Sequence, residues 1–335
     1  MLFRSALRQK GPYPALIING EQGSAKSSMA AMLRGLIDPN KSLLRGIPHN
    51  EADLPLGARN SWVVALDNVS HVSDTVSDML CRIATGGSFV KRQLYTDFEE
   101  SSHTVQRPIL INGIEDVVTR GDLIDRSLTI TLAQIPKEQR KSDNAIRERF
   151  QRMHARILGG LLDAAVMALN RRHDIVLPEL PRMADFAIWV SAAEPALTFE
   201  RVKVSECTFE WKPGAFLDTY FKRQESANSI ILETVPWLDA LKDLLVCNKN
   251  GWEGSATQLH AELSARAGSA ASLKTWPRFA RTLNGALRRI APHLRNIGID
   301  VLQARNNTGS IVRIHRLEQR KDEKSNQSSF TPPVL

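Results

Sequence analysis

The 335-residue chain lacks several features that mark particular classes of protein. Its three cysteines, Cys81, Cys207 and Cys247, are far apart and odd in number, which excludes a disulfide framework and favours a reducing compartment. It contains no run of about 18 apolar residues, so we expect no membrane-spanning segment. Its histidines and cysteines lack the spacing of zinc ligands, so we expect no zinc site. These absences together predict a cytoplasmic protein.

Acidic residues are nearly missing from one part of the chain. Between Lys274 and Arg316 stand nine lysines and arginines but one acid, Asp300, so the segment has a net charge of +8, equal to that of the whole chain. Such a local excess favours a polyanion as partner, most simply DNA. The alternative is a surface that only aids solubility. The composition is otherwise ordinary for a globular protein, with 42% hydrophobic and 24% charged residues.

The first part of the chain, residues 1–135, alternates between apolar runs and helical patterns. The runs have the length of buried parallel strands, and they lie at residues 15–19, 61–66, 108–112 and 128–132. Helical patterns separate them, and they lie at residues 27–36 and 74–84. Residues 89–95 are typical of a hairpin. This order predicts a three-layer α/β core of the P-loop NTPase kind, which would bind a nucleotide.

The remaining residues have a different pattern. Residues 136–234 predict an α-helical subdomain, with helices at 146–170, 183–194 and 213–228, whereas residues 198–212 predict no regular element. Residues 235–317 predict three helices followed by a hairpin, which is the order of a winged-helix DNA-binding domain. The third helix is expected to begin near Thr275 and to turn Phe279, Leu283 and Leu287 inward. Residues 318–335 are polar and predict a disordered tail.

A glycine-rich loop follows the first predicted strand and opens the first predicted helix. This context is the one that a phosphate-binding loop needs, because the N–H groups at a helix N-terminus attract anions. Lys26 is expected to reach the β- and γ-phosphates of ATP, and Ser27 to bind Mg²⁺. The usual motif has glycine where Ala25 stands, and a purely structural turn is the alternative. The predicted ATP-binding residues are Gly20, Glu21, Gln22, Gly23, Ser24, Ala25, Lys26, Ser27 and Ser28.

Polar residues follow the second and third apolar runs. Asp67 is predicted to hold Mg²⁺ with Ser27, and capping of the next helix is its alternative role. Asn68 stands where many ATPases have a glutamate that activates water, and an amide cannot accept a proton. Either Asp74 or Asp78 therefore replaces that glutamate, or hydrolysis is slow.

Two further residues are candidates for catalysis. Asn112 ends the third strand and could orient water near the γ-phosphate, or it is a turn residue. Arg126, or Arg120 before it, could reach the γ-phosphate of a neighbouring subunit. The alternative for these arginines is a surface ion pair with Asp122 or Asp125.

The order of these features over residues 12–135 resembles superfamily 3 helicases and the poxvirus-type primase-helicases of phages and plasmids, which have AAA+ ATPase cores. The resemblance implies a homo-oligomer, of which a hexameric ring is one form. It also implies that the hairpin faces a DNA channel, with Lys91 and Arg92 as contacts. A solvated charged hairpin is the alternative. Family members carry further helices or a primase domain upstream, so we expect a shortened or split version.

The basic segment supplies the second predicted DNA surface. Arg278, Arg281 and Arg288 fall opposite the predicted inward face, as phosphate contacts of a recognition helix do. Winged helices also bind proteins, which is the alternative. Our leading hypothesis is an ATP-hydrolysing, helicase-like DNA motor or remodeller of a phage- or plasmid-type mobile element. The other hypothesis is a nucleotide-switched DNA-binding regulator with little or no ATP turnover.

Overall fold

The computed structural model describes residues 6–8, 10–92, 100–114, 117–118, 120–197, 199–204, 207–306 and 309–317. The chain divides into two compact units, Met1–Ala227 and Asn228–Leu335. The predicted borders after residues 135 and 234 stay predictions, and the predicted tail, 318–335, lies outside the described residues.

The first unit contains both strands and helices. Its strands are β1 (Ala15–Gly20), β2 (Val64–Val69), β3 (Gly87–Arg92), β4 (Glu100–Val105), β5 (Ile109–Gly113), β6 (Ser127–Leu132), β7 (Phe199–Val204) and β8 (Cys207–Trp211). Its helices are α1 (Lys26–Ile37), α2 (Leu54–Arg59), α3 (Asp74–Thr85), α4 (Gly121–Ile124), α5 (Asp143–Arg171), α6 (Ala184–Ala193) and α7 (Ala215–Glu233), the last of which crosses into the second unit.

A four-stranded parallel sheet forms the centre of the first unit, with the order β2-β5-β1-β6. Its two faces pack into separate hydrophobic clusters, because successive strand residues point to opposite sides. Ile109 and Ile111 pack with Leu80 of α3 on one face, whereas Leu110 packs with Ala30 of α1 on the other. The predicted parallel α/β core with helices on both faces is therefore confirmed.

Several details of this unit differ from the predictions. The fourth run was expected to be a buried strand, but β6 lies at the edge of the sheet and its residues are half-buried or exposed. The second strand was expected to end at Asp67, but β2 continues to Val69 through an irregularity between Leu66 and Val69. The segment 198–212, for which no element was predicted, contains the antiparallel pair β7–β8. The carboxylate of Glu194 anchors the end of this hairpin, since it accepts hydrogen bonds from the Trp211 indole at 3.1 Å and from the Gly214 backbone at 2.9 Å.

In the described residues of the second unit, the end of α7 is followed by three α-helices and a three-stranded antiparallel sheet. The elements are α8 (Leu238–Cys247), β9 (Trp252–Ser255), α9 (Ala256–Ala267), α10 (Ala280–Asn296), β10 (Ile299–Asn306) and β11 (Gly309–Arg316). The sheet has the order β10-β11-β9, and the short strand β9 was not predicted. Ser255 begins α9 with a capping box to Gln258. The winged-helix assignment of this unit stays a prediction.

The start of the third helix was predicted wrongly. The helix α10 begins at Ala280 rather than near Thr275, and Phe279 is 70% exposed instead of turned inward. The reason is that residues before it are fixed against α9: the buried Trp276 donates its indole N–H to Ser264 Oγ at 3.2 Å. The core of this unit takes Leu283 and Leu287 as expected.

Candidate functional site

The candidate site lies where three parallel strands end. β1, β2 and β5 are neighbours in the sheet, and in the register Ile18 stands beside Asn112. The carboxyl ends of parallel strands share one edge, which is where open α/β sheets bind ligands. The glycine-rich loop, Asp67 and Asn112 are therefore on the same edge of the sheet.

The glycine-rich loop, residues 20–25, connects β1 to α1 with an unusual backbone. A Cβ on Gly20 would lie 2.6 Å from the carbonyl oxygen of Leu132, so no side chain fits at this position. Ala25 has a φ of 60°, a left-handed conformation that glycine adopts without cost and alanine does not. The departure from the usual motif is therefore a source of backbone strain at the residue that precedes the helix.

Backbone N–H groups at the start of α1 are left without protein partners. Within the described residues, the N–H groups of residues 25–28 donate no hydrogen bond, and the first to do so is that of Met29, which donates to the Ala25 carbonyl at 2.9 Å. Unsatisfied N–H groups and the positive end of the helix dipole attract anions. The start of α1 could therefore hold an anion.

The lysine of the loop is folded back onto its own carbonyls. Lys26 Nζ donates to the carbonyl oxygens of Gly20 at 2.6 Å and Glu21 at 2.8 Å. The buried Ser24 hydroxyl also donates to the Glu21 carbonyl, at 2.8 Å. Glu21, Gln22 and Gly23 are exposed, whereas Gly20 is buried, so the middle of the loop is open to solvent.

Ser27 and Asp67 are in direct contact, as the prediction of a shared Mg²⁺ site requires. Ser27 Oγ donates to Asp67 Oδ1 at 2.8 Å. Ser27 is exposed in the first turn of α1, and Asp67 is half-buried within β2. A hydroxyl and a carboxylate this close can serve as neighbouring ligands of one hard cation.

Asn68 and Asn112 form a second contact across the site. The Asn68 backbone has a φ of 53°, and its N–H donates to Asn112 Oδ1 at 2.8 Å. Asn112 is 1% exposed, and among the described residues its Nδ2 has no hydrogen-bond partner. A buried amide left unpaired costs about 1–3 kcal/mol, so a water or a ligand in the site would stabilise it.

The candidate base Asp78 is held in an ion pair. Arg120 Nη1 lies 2.9 Å from Asp78 Oδ1 and also donates to the Asp74 backbone carbonyl at 2.9 Å. Both acids are exposed on α3. The ion pair uses only Oδ1 of Asp78, so its second carboxylate oxygen can still accept a proton from water.

Arg126, the candidate contact to a neighbouring subunit's γ-phosphate, forms an ion pair within its own chain. Its Nη1 contacts the Asp122 carboxylate and donates to the Asp122 carbonyl at 2.9 Å, which is the ion pair that the sequence left as an alternative. Arg182 binds the same carboxylate at 2.5 Å and Asp125 at 2.8 Å. Partial burial favours the neutral acid, but the hydrogen bond and charge of Arg126, with Arg182, hold the pKa of Asp122 below its ordinary value.

The predicted DNA-contact residues fall in two places. Lys91 and Arg92 belong to β3, which pairs with β4 in an antiparallel hairpin, but their side chains lie outside what the structure describes. Arg278, Arg281 and Arg288 are all exposed, the first just before α10 and the others two turns apart on it. Arg288 also donates to Gln303 Oε1 at 3.3 Å.

Sequence reasoning missed the segment that follows β6. Ile135 donates its N–H to the Gly23 carbonyl at 3.4 Å, and Arg140 lies beside the same glycine. These residues are more than a hundred positions from the loop, and no motif in the sequence indicates the contact.

In the described part of the chain, no group of three or more His, Cys, Asp or Glu residues could hold a metal ion. None of the helices in that part is long and apolar enough to cross a membrane.

Comparison with known proteins identifies the family. Residues 3–209 match the actinomycete integrative conjugative element replication protein family, and residues 238–329 match the RepA C-terminal domain of these elements. No curated protein matches the chain. The apo A form of the NrS-1 C-terminal region, a solved structure, is similar over 94% of this chain and 71% of that one, at 16% identity and a TM-score of 0.35, which is too low to support an argument. Since the first match covers more than half of the residues, the chain belongs to the family of replication proteins of actinomycete integrative conjugative elements.

Proposed function

We propose that this replication protein binds ATP and Mg²⁺ at the glycine-rich loop and acts on DNA as an ATP-hydrolysing, helicase-like motor. The observation that carries the proposal is the group of unpartnered N–H groups at residues 25–28, next to the amine of Lys26. A helix N-terminus with a lysine in its first turn favours phosphate over other ligands. The phosphates of ATP would also draw Lys26 away from the loop carbonyls.

The residues beside the loop fit Mg²⁺. Ser27 Oγ and Asp67 Oδ1 are oxygen ligands 2.8 Å apart, and Mg²⁺ completes such a site with water and phosphate oxygens. When bound, the ion would neutralise part of the negative charge on the phosphates. Asn112 would orient water or a phosphate oxygen through its unpaired Nδ2.

A nucleotide-switched DNA-binding regulator is the second candidate function. It is favoured by Asn68, an amide that cannot accept a proton and that stands where many ATPases have a glutamate. ATP would then be an ordering ligand that is hydrolysed slowly. The motor requires another carboxylate, Asp74 or Asp78, to accept the proton of the attacking water.

DNA binding and assembly complete the proposal. The exposed Arg278, Arg281 and Arg288, together with Lys91 and Arg92 of the hairpin, are the proposed DNA contacts. The motor is proposed to be a homo-oligomer, with a hexameric ring as one form. Arg126 would act on a neighbouring subunit's nucleotide after release from Asp122.

Titration calorimetry with Mg²⁺-ATP tests nucleotide binding directly. Lys26→Ala removes charged hydrogen bonds to phosphate, each worth about 1.5–3 kcal/mol, so we expect the affinity to fall by roughly ten- to a hundredfold. Lys41→Ala removes the same charge from an exposed position after α1 and is the matched control. Equal affinities for the two variants would contradict the assignment of the loop.

Turnover separates the two candidate functions. We expect the motor to hydrolyse ATP faster when single-stranded DNA is added, with the particle mass measured in parallel by light scattering. A protein that binds ATP tightly but shows no DNA-stimulated turnover would be the regulator.

A further inference from the structure

The segment after β6 runs beside the glycine-rich loop. Ile135 donates its N–H to the Gly23 carbonyl at 3.4 Å, and Gln134 Nε2 reaches the Gln22 carbonyl at 3.5 Å. Both contacts are long, but they join consecutive residues of the segment to consecutive residues of the loop. The segment is therefore aligned with the loop rather than touching it at one point.

Arg140 is brought to the loop by this alignment. Its Nη2 lies 3.3 Å and its Cζ 3.9 Å from the position that a Cβ on Gly23 would occupy. Its Nε donates to the Ile135 carbonyl at 3.2 Å, and this bond orients the guanidinium so that Nη2 lies beside Gly23. A side chain at Gly23 would meet this guanidinium, and the φ of 86° at Gly23 independently favours glycine.

The charge on Arg140 has no counterion within the part of the chain that the structure describes. Among the described residues no carboxylate forms an ion pair with it, and its side chain is exposed. It lies next to a loop that already carries Lys26 and the unpartnered N–H groups of residues 25–28. Three sources of positive charge converge on one loop, an arrangement that an anion would stabilise.

We propose that Arg140 is a second cationic ligand of the nucleotide's phosphate chain, contributed by the segment between β6 and α5. The inference rests on the proposed nucleotide function and adds a residue to that site. Arginine suits the role because its planar guanidinium can donate to phosphate while one edge stays bonded to the Ile135 carbonyl. The contact would also tie the segment before α5 to the presence of nucleotide.

Calorimetric titration of Mg²⁺-ATP and of inorganic tripolyphosphate into the full chain tests this role. We expect Arg140→Ala to weaken both ligands by about tenfold, a difference of about 1.4 kcal/mol, because the lost contact is to phosphate. Arg140→Lys should return the affinity to within about threefold of the wild type, since the charge is kept and the fork geometry is lost. Lys141→Ala removes the same charge one residue along and should change either affinity by less than about twofold.

The outcomes separate this inference from the function on which it rests. If the wild type binds neither ligand, the proposed nucleotide function fails. If the wild type binds ATP and Lys26→Ala does not, but Arg140→Ala binds both ligands like the wild type, the role of Arg140 alone is refuted. Weakened binding of ATP with unchanged binding of tripolyphosphate would place Arg140 on the nucleoside and overturn the phosphate contact. Equal losses in Arg140→Lys and Arg140→Ala would show that Arg140 only shapes the loop.

Discussion

The three exposed arginines near the start of α10 allow a quantitative test of DNA binding. We define the arginine surface as Arg278, Arg281 and Arg288. Each phosphate contact contributes about −0.9 to the slope of log affinity against log salt, so replacing all three with alanine should flatten the slope by about 2.7. Between about 50 and about 200 mM salt, that difference removes roughly a 40-fold dependence of affinity on salt.

The structure supports treating these three arginines as phosphate contacts and leaving two other arginines of the basic segment out of the estimate. Arg295 is bound to Asp300 at 2.7 Å and Arg313 to Glu253 at 3.0 Å, so their charges are already compensated. Arg288 keeps its Nη groups available, because its bond to Gln303 uses Nε.

Fluorescence anisotropy of labelled duplex DNA, titrated with the full chain at several salt concentrations, measures the slope. The control variant carries Lys242→Ala and Lys249→Ala, two exposed lysines outside the arginine surface. We expect the control to change the slope by less than about one unit. Equal slope changes in the triple variant and the control would refute a patterned DNA surface and favour general positive charge. An absence of binding in the wild type would favour a protein partner for this unit.

Three further predictions concern stability, metal and assembly. Leu283→Ala should lower the free energy of unfolding by about 2–5 kcal/mol because it empties a core site, whereas Phe279→Ala should change it by less than about 0.5 kcal/mol, as measured by urea denaturation. Asp67→Asn should abolish the increase in ATP affinity that Mg²⁺ produces, and a variant that keeps this increase would contradict the metal site. Arg126→Ala should bind ATP but hydrolyse it slowly, and mixing it with Lys26→Ala subunits should restore part of the turnover; no recovery would leave Arg126 with its ion pair alone.

The strands of the parallel sheet and the glycine-rich loop could be predicted from short sequence patterns. The buried runs that became β1 and β5 are apolar up to the asparagine that ends each run, and the loop between β1 and α1 carries a recognisable order of glycine, lysine and serine. The contact between Ser27 and Asp67 followed from topology, since parallel strands bring their carboxyl ends to one edge. These features could be predicted because each depends on neighbours in sequence or on a general rule of sheets.

The features that were missed depend on tertiary contacts. Thr275 followed by Trp276 and Pro277 looks like a helix start, but burial of the Trp276 indole against α9 keeps this segment non-helical and delays α10. The proximity of Arg140 to Gly23 depends on where the chain turns after β6, which the composition of the segment does not reveal. Likewise, the sequence left three possible contacts for Arg126: Asp122, Asp125 or the nucleotide of a neighbouring subunit. In the folded chain Arg126 lies beside Asp122 and forms the ion pair with that residue.

The left-handed backbone at Asn68 limits which amino acids can evolve at this position. Asparagine tolerates a φ of 53° better than most residues, whereas glutamate there would cost about 1–2 kcal/mol. Glutamate would keep the N–H of residue 68, but relaxing its backbone to a negative φ would move that N–H away from Asn112 Oδ1. Under the proposed motor function, the backbone conformation of β2 therefore disfavours the simplest substitution that would speed hydrolysis.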